Sequence, residues 1–256
     1  MDMPEESALE QLLKSGEFLH HLDIDRKTAD LVFDRRTIKA IYEFMKHQSI
    51  DYIDFPISAG KESVVFKAIR KKRPVVIKIY KLSTLRFSAI WKYIEGDYRF
   101  SRERIDRSNI VFIWAKKEFT NLGEMRKHGI LCPKPMDFHR NLLMMSYIGT
   151  ASSPAPRLKD ADFDSQAVFE EIRNAMLKLY RDARLVHADL SEYNILYHRK
   201  HAYILDVGQS VSREHPAADY FLDRDIRNIV SFFAKRDVST DFESLSRFVR
   251  QGNETG

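Results

Sequence analysis

The strongest local signal in this chain is an aspartate and an asparagine five positions apart in one polar loop, His187-Ala188-Asp189-Leu190-Ser191-Glu192-Tyr193-Asn194. The loop follows a helical pattern and precedes a strand-like run, so one short connection carries both side chains. Phosphoryl transfer needs such a pair: a carboxylate to orient and deprotonate the attacking hydroxyl or water, and an oxygen ligand for a divalent cation nearby. Alone, the pattern is equally that of a turn whose Asp and Asn cap the backbone. Twelve residues after Asn194, however, Asp206 ends an apolar strand in ILDVG. A carboxylate there is costly to bury unless it meets a cation or hydrogen-bond donors. Lys78 is the third element. Strand alternation in PVVIKIY puts Val76, Lys78 and Tyr80 on one face and Val75, Ile77 and Ile79 on the other. A lysine inside such a run is unfavourable unless its ammonium meets an anion or, on an edge strand, reaches solvent.

The rest of the chain supplies a scaffold for these residues. Its 256 residues suffice for one large domain or two lobes, and 44% hydrophobic with 31% charged residues is an ordinary globular balance. Before residue 50 the pattern is helical: Asp34 reads as an N-cap, followed by Ile38, Ile41, Tyr42 and Met45 at helical spacing. YIDFPI, SVVFKAIR and PVVIKIY then predict a small antiparallel sheet joined at SAGKE and RKKR. Residues 83–110 lose all periodicity and are expected to form a mobile insertion. A helix is predicted from Val111 to His128, ended by Gly129, and NLLMMSYIG reads as a buried strand. After the linker PAPRL come a helix bearing Val168, Ile172 and Leu179, the strand pair NILYH and AYILDV, and the helix DRDIRNIVSFFAKR.

The only cysteine is Cys132, the N-terminal residues are acidic rather than signal-like, and no apolar run approaches the ~20 residues that span a bilayer. The expectation is a cytoplasmic protein with no membrane contact. The net charge of +5 suits a nucleotide or RNA partner and proves neither, so direct RNA contact stays open. RKKR at 70–73 reads as a solvated turn, and His198 with His201 as a surface turn rather than a zinc site.

The spacing of Asp189, Asn194 and Asp206 matches the kinase pattern H-R-D-x-x-x-x-N followed by D-F-G, with Val207 in place of Phe. The turn Ser58-Ala59-Gly60-Lys61-Glu62-Ser63, with its single glycine, departs from an ordinary kinase phosphate loop. It is similar instead to the S-T-G-K-E-A signature of the RIO family of atypical serine/threonine protein kinases. KYIEGDYRF, WAKKEFTNL, CPKP, SPAPRL, LVHADLSEYNIL and YILDVGQSV also resemble segments of that family's type-1 branch, in order, over about Phe33 to Lys235. Ala188 departs from the family's usual H-G-D glycine.

The resemblance implies an α+β, two-lobed protein-kinase-like fold with a shortened C-lobe. The expected division is an N-terminal helical extension over 1–50, an N-lobe over 51–149 and the C-lobe over 150–256. It implies Mg-ATP, with Mn2+ as an alternative metal. Asp189 would be the proton acceptor, Asn194 and Asp206 the metal ligands, and residues 58–63 the cover of the phosphates. Lys78 would pair with Glu118, Val76 would help cover the adenine, and the backbone of Ser146 and Ile148 would bond it behind Met145 as gatekeeper. A small-ribosomal-subunit precursor is the implied partner. Two rivals remain: a small-molecule phosphotransferase of the aminoglycoside or choline kinase type, and a nucleotide-gated binding module without turnover. The absence of an A-P-E segment after Asp206 favours ATP hydrolysis over peptide phosphorylation.

Overall fold

The computed structural model describes residues 34–83 and 87–252; the part of the expected N-terminal extension before residue 34 lies outside them. These residues divide into two compact units. The first holds residues up to 87 together with 106–116 and 135–147, and the second holds 88–105, 117–134 and 148 onward.

In the first unit, α1 (Arg35–Gln48) starts at Asp34, whose carboxylate accepts from the backbone N–H groups of Arg36 and Thr37. Such a cap contributes about 1 kcal/mol. Five antiparallel strands follow: β1 (Ile50–Ala59), β2 (Ser63–Arg70), β3 (Arg73–Tyr80), β4 (Pro135–His139) and β5 (Leu142–Ser146). Their order in the sheet is β1-β2-β3-β5-β4. One face is apolar: Ile38, Ile41 and Phe44 of α1 share a core with Val64, Phe66, Val75, Ile77, Ile79, Leu142 and Met144. The alternation in PVVIKIY therefore holds, with Val75, Ile77 and Ile79 in that core. Val76, Lys78 and Tyr80 are also buried, so β3 is covered on both sides. The RKKR turn reverses through Lys71 and Lys72, both exposed and left-handed.

The second unit is largely helical. It contains α2 (Phe87–Trp91), most of α3 (Ile110–Lys127), α4 (Ser165–Arg181), α5 (Ala218–Ala234) and α6 (Phe242–Gln251). Two small strand pairs complete it: β6 (Leu185–Val186) with β9 (Val211–Ser212), and β7 (Ile195–His198) with β8 (His201–Ile204). Gly129, at φ +69, closes α3 as expected, with the N–H of Ile130 donating back to the Met125 carbonyl. His198 and His201 face each other across the β7–β8 turn, and His201 meets Glu171, as a surface turn requires.

Two features depart from the sequence expectation. The unit boundary falls between Tyr147 and Ile148, and residues 88–105 count with the second unit rather than the first. The reason is packing. Ile90, Tyr93, Ile94 and Phe100 are buried, the Tyr93 and Phe221 rings lie 5.4 Å apart, and Gly96 sits against Pro216. A segment without periodicity thus buries an irregular apolar set in its described part. The second departure is α6, whose short stripe of Leu245 and Val249 follows the last helix read from sequence.

Candidate active site

In the loop between β6 and β7, Asn194 donates its side-chain N–H to the Asp189 carbonyl (2.8 Å) and to the Asp189 carboxylate (3.1 Å). The amide nitrogen of Asn194 is thereby engaged, which leaves its side-chain oxygen as the atom able to meet a cation. The Asn194 carbonyl accepts from Leu205 N–H at 2.8 Å, and His187 Nε2 contacts the Leu205 carbonyl at 2.8 Å. These bonds tie the loop to the strand end that carries Asp206. The structure therefore brings Asp189, Asn194 and Asp206 into one connected assembly within the second unit.

Asp225, on α5, organises this loop and was not singled out in the sequence. One carboxylate oxygen accepts from Ala188 N–H and the other from Leu190 N–H, each at 2.8 Å, bracketing Asp189. Arg224 donates to the Ala188 carbonyl, and Asn228 to that of Leu190 at 3.0 Å. Burial pushes the Asp225 carboxyl up to about 7 against the pull of its two N–H donors and the Arg224 charge. Burial likewise pulls the His187 imidazole below its ordinary value. The signal for Asp225 was present: a carboxylate inside the apolar stripe Leu222, Ile226 and Ile229 calls for donors. Ala188 adopts φ +65, the left-handed conformation that a glycine takes without strain.

Asp206 is also left-handed, at φ +55, and opens a 3-10 turn over Val207–Gln209. Aspartate tolerates this region better than most residues, yet the conformation persists only when its surroundings dictate it. Two side chains of α3 bond the turn that follows it: Asn121 donates to the carbonyls of Val207 (2.7 Å) and Ser210 (3.2 Å), and Lys117 donates to Ser210. Lys117 and Asn121, one helical turn apart, were also passed over in the sequence.

In the first unit, Ser58 and Ala59 end β1, Ser63 begins β2, and Gly60, Lys61 and Glu62 make the turn. Gly60 N–H donates to the Ser63 carbonyl at 2.9 Å. Lys81, buried just beyond β3, fixes the turn by donating Nζ to the Gly60 carbonyl (2.7 Å) and N–H to that of Glu62 (2.9 Å). Gly60 is not left-handed, and an added Cβ would meet only the Ser63 carbonyl, at 3.6 Å. Folding alone does not demand a glycine there, whereas close approach of a phosphate would. Val76 pairs with Met145 and Lys78 with Leu143, so these four residues share the sheet face opposite α1. Val65, Val76 and Leu143 give that face an apolar floor around the buried Lys78. Ser146 ends β5 in this unit; Ile148, in the second, accepts from Ala155 N–H at 3.0 Å. Glu118 is buried and belongs to the second unit, Lys78 to the first, so their expected pairing is carried forward as a proposal.

Among the described residues, no three His, Cys, Asp or Glu side chains gather as a self-sufficient metal site. Asn194 and Asp206 offer two hard oxygen donors. That set fits Mg2+ completed by phosphate oxygens and water, as Mg2+ usually binds beside a nucleotide.

A family model described as the RIO domain matches residues 64–245. This chain belongs to the RIO family. It is 47% identical to the RIO-type serine/threonine-protein kinase Rio1 of Thermoplasma acidophilum over 188 residues, 73% of this chain and all of that one. It is 39% identical to the Rio1 kinase of Methanocaldococcus jannaschii, over 94% of this chain and 81% of the relative. These matches place it in the type-1 branch of the RIO serine/threonine-protein kinases. The fold agrees with the Rio2 kinase from Chaetomium thermophilum in its ADP/Mg2+-phosphoaspartate complex. That likeness has a TM-score of 0.64 and 21% identity, over 85% of this chain and 67% of the other. The α+β, kinase-like fold expected from the RIO resemblance is therefore the fold found. The helices of the described residues include none long and apolar enough to cross a membrane.

Proposed function

We propose that this RIO kinase binds Mg-ATP through the residues named above and hydrolyses it more readily than it phosphorylates peptides. Asp189 is the proton acceptor and Asn194 with Asp206 the metal-holding pair. Lys78, paired with Glu118, meets the phosphates beneath the Ser58–Ser63 turn. Val76 and Met145 line the adenine position, and the backbone of Ser146 and Ile148 bonds its edge. The observation that carries this reading is the contact from Asn194 to both the carbonyl and the carboxylate of Asp189. It fixes a base and a metal-facing oxygen on a single short loop. Mg2+, when bound, neutralises phosphate charge and holds the γ-phosphate in place.

Hydrolysis is favoured by the segment after Asp206. Between Asp206 and α5, residues 207–217 hold only the 3-10 turn, β9 paired with β6, and a short turn. A protein kinase uses this region to build its activation loop and peptide platform. The phosphoaspartate in the Chaetomium Rio2 complex suggests the route: an Asp206 oxygen attacks the γ-phosphorus, the bond to the β-phosphate oxygen breaks and ADP leaves. Water then cleaves the acyl phosphate, with Asp189 taking its proton, and inorganic phosphate is released. A small-subunit ribosomal precursor as partner and a cytoplasmic setting belong to the same proposal and rest on the RIO resemblance.

The test pairs an ATP titration with turnover. Asp189→Ala is expected to keep Mg-ATP affinity while turnover falls roughly 10²–10⁴-fold, the range for losing a general base. Equal losses of affinity and rate would refute the separation of roles. Label from γ-labelled ATP should sit on the enzyme and be released by hydroxylamine; rapid peptide phosphorylation with no such label would refute the hydrolytic reading.

A further inference from the structure

The insertion absorbed by the second unit carries a buried charge network that ends on the turn after Asp206. The Asp97 side chain is fully buried. It accepts from Arg99 three times: from the backbone N–H (3.2 Å), from Nε (2.8 Å) and from Nη2 (2.6 Å). Arg99 then donates Nη1 to the Asn121 side-chain oxygen at 2.7 Å. That bond decides which way the Asn121 amide faces, so its nitrogen is the end presented to the Val207 and Ser210 carbonyls. Lys117, with none of its side chain exposed, has its Nζ 3.9 Å from the Asp97 carboxylate and donates to the Ser210 carbonyl. From Ser210 the connection continues, because its hydroxyl donates to the His187 carbonyl at 3.1 Å.

We infer that Asp97, Arg99, Asn121 and Lys117 are positioning residues: together they brace the Val207–Ser210 turn and thereby hold Asp206 in its left-handed, metal-facing conformation. Two physical points support this over a purely structural role. Burying an ion pair seldom adds net stability, since desolvation cancels most of the attraction. A left-handed aspartate, by contrast, needs outside constraints, and the network acts on the carbonyl immediately after it and on the one that ends the turn. Burial alone would raise the Asp97 carboxyl, yet the Arg99 bonds and charge, with the Lys117 charge, hold it below its ordinary value, as a working acceptor requires.

The inference rests on Asp206 being a metal ligand, and the experiment separates the two. Turnover, the Mg2+ concentration giving half-maximal rate, nucleotide affinity and thermal melting are measured for Asn121→Ala, Arg99→Lys and Asp206→Asn. Losing an outer partner of a metal ligand costs about 10–100-fold in metal affinity or activity. Asn121→Ala is expected to show that loss, with half-saturating Mg2+ raised and affinity for metal-free ATP unchanged. Arg99→Lys keeps the charge but loses the fork that orients Asn121, and should show a smaller shift in the same direction. Normal Mg2+ dependence in a folded Asn121→Ala, whatever its melting temperature, would overturn the inference. If Asn121→Ala does not fold, Arg99→Lys decides by the same criterion, since Arg99 lies at the rim with 15% of its side chain exposed. Full turnover in Asp206→Asn would overturn the reading of Asp206 itself.

Discussion

Replacing Lys117 by methionine should alter how stability varies with pH, in a direction fixed by the burial of this side chain. Burial and the neighbouring Arg99 charge pull the Lys117 ammonium down to about 7 from 10.5, while Asp97 and Glu118 act to raise it. Below about 7 the lysine is charged in both folded and unfolded chains, and the folded state bears the full cost of desolvation. Between about 7 and 10.5 the folded protein holds the neutral amine while the unfolded chain still binds the proton. Stability contributed by this group therefore rises with pH through that window. The gain approaches 1.36 kcal/mol per pH unit, so the wild type should gain about 2 kcal/mol on Lys117→Met between pH 7 and 9. Methionine fills a similar volume without titrating, and the lost bond to Ser210 gives a constant offset that does not affect the slope. Urea unfolding of both proteins at pH 7, 8 and 9 measures the difference, with every other titrating group cancelling. A wild-type-minus-variant stability difference that stays flat across the three pH values, or falls, would refute the account of a desolvated amine at this position.

Two substitutions test the loops themselves. Ala188→Gly relieves a left-handed strain of about 1–2 kcal/mol but gives up a buried methyl worth about 0.8 kcal/mol and adds about 0.5–1 kcal/mol of unfolded-state entropy. The expected change in denaturant stability is within about 1 kcal/mol of zero, and one beyond about 2 kcal/mol in either direction would show that this sum omits a major effect. Gly60→Ala meets no steric obstacle in the fold, so melting should be unchanged while ATP affinity drops about tenfold, roughly 1.4 kcal/mol of binding free energy. Unaltered nucleotide affinity in that variant would remove the 58–63 turn from the phosphate site.

The residues of the proposed catalytic loop could be picked out because their pattern is local. Asp189 and Asn194 sit on one turn, Asp206 ends the next hairpin, and a polar group at such a place needs a reason that a single sequence supplies. The sheet was legible for a similar reason. Period-2 alternation and β-branched residues in SVVFKAIR and PVVIKIY gave β2 and β3, and Asp34 marked the start of α1. The left-handed backbone at Ala188 was hinted at only by the family's glycine, since alanine does not announce such a conformation.

Tertiary structure alone decided where residues 88–105 belong and which side chains bond the loops of Asp189 and Asp206. The segment lacks a period because its buried residues, Ile90, Tyr93, Ile94 and Phe100, fit an irregular surface rather than a helix face. Asp225 lies 36 residues along the chain from the Asp189 it brackets, and Asn121 lies 86 residues from Val207. Sequence spacing reports on neighbours within a turn or a strand. A hydrogen bond closed across such a separation depends on how helices α3 and α5 dock, and docking is set by the packing of the whole second unit. The proposed chemistry of this kinase thus rests on a few adjacent residues, while the buried polar side chains that bond their loops find partners that only the folded chain brings within reach.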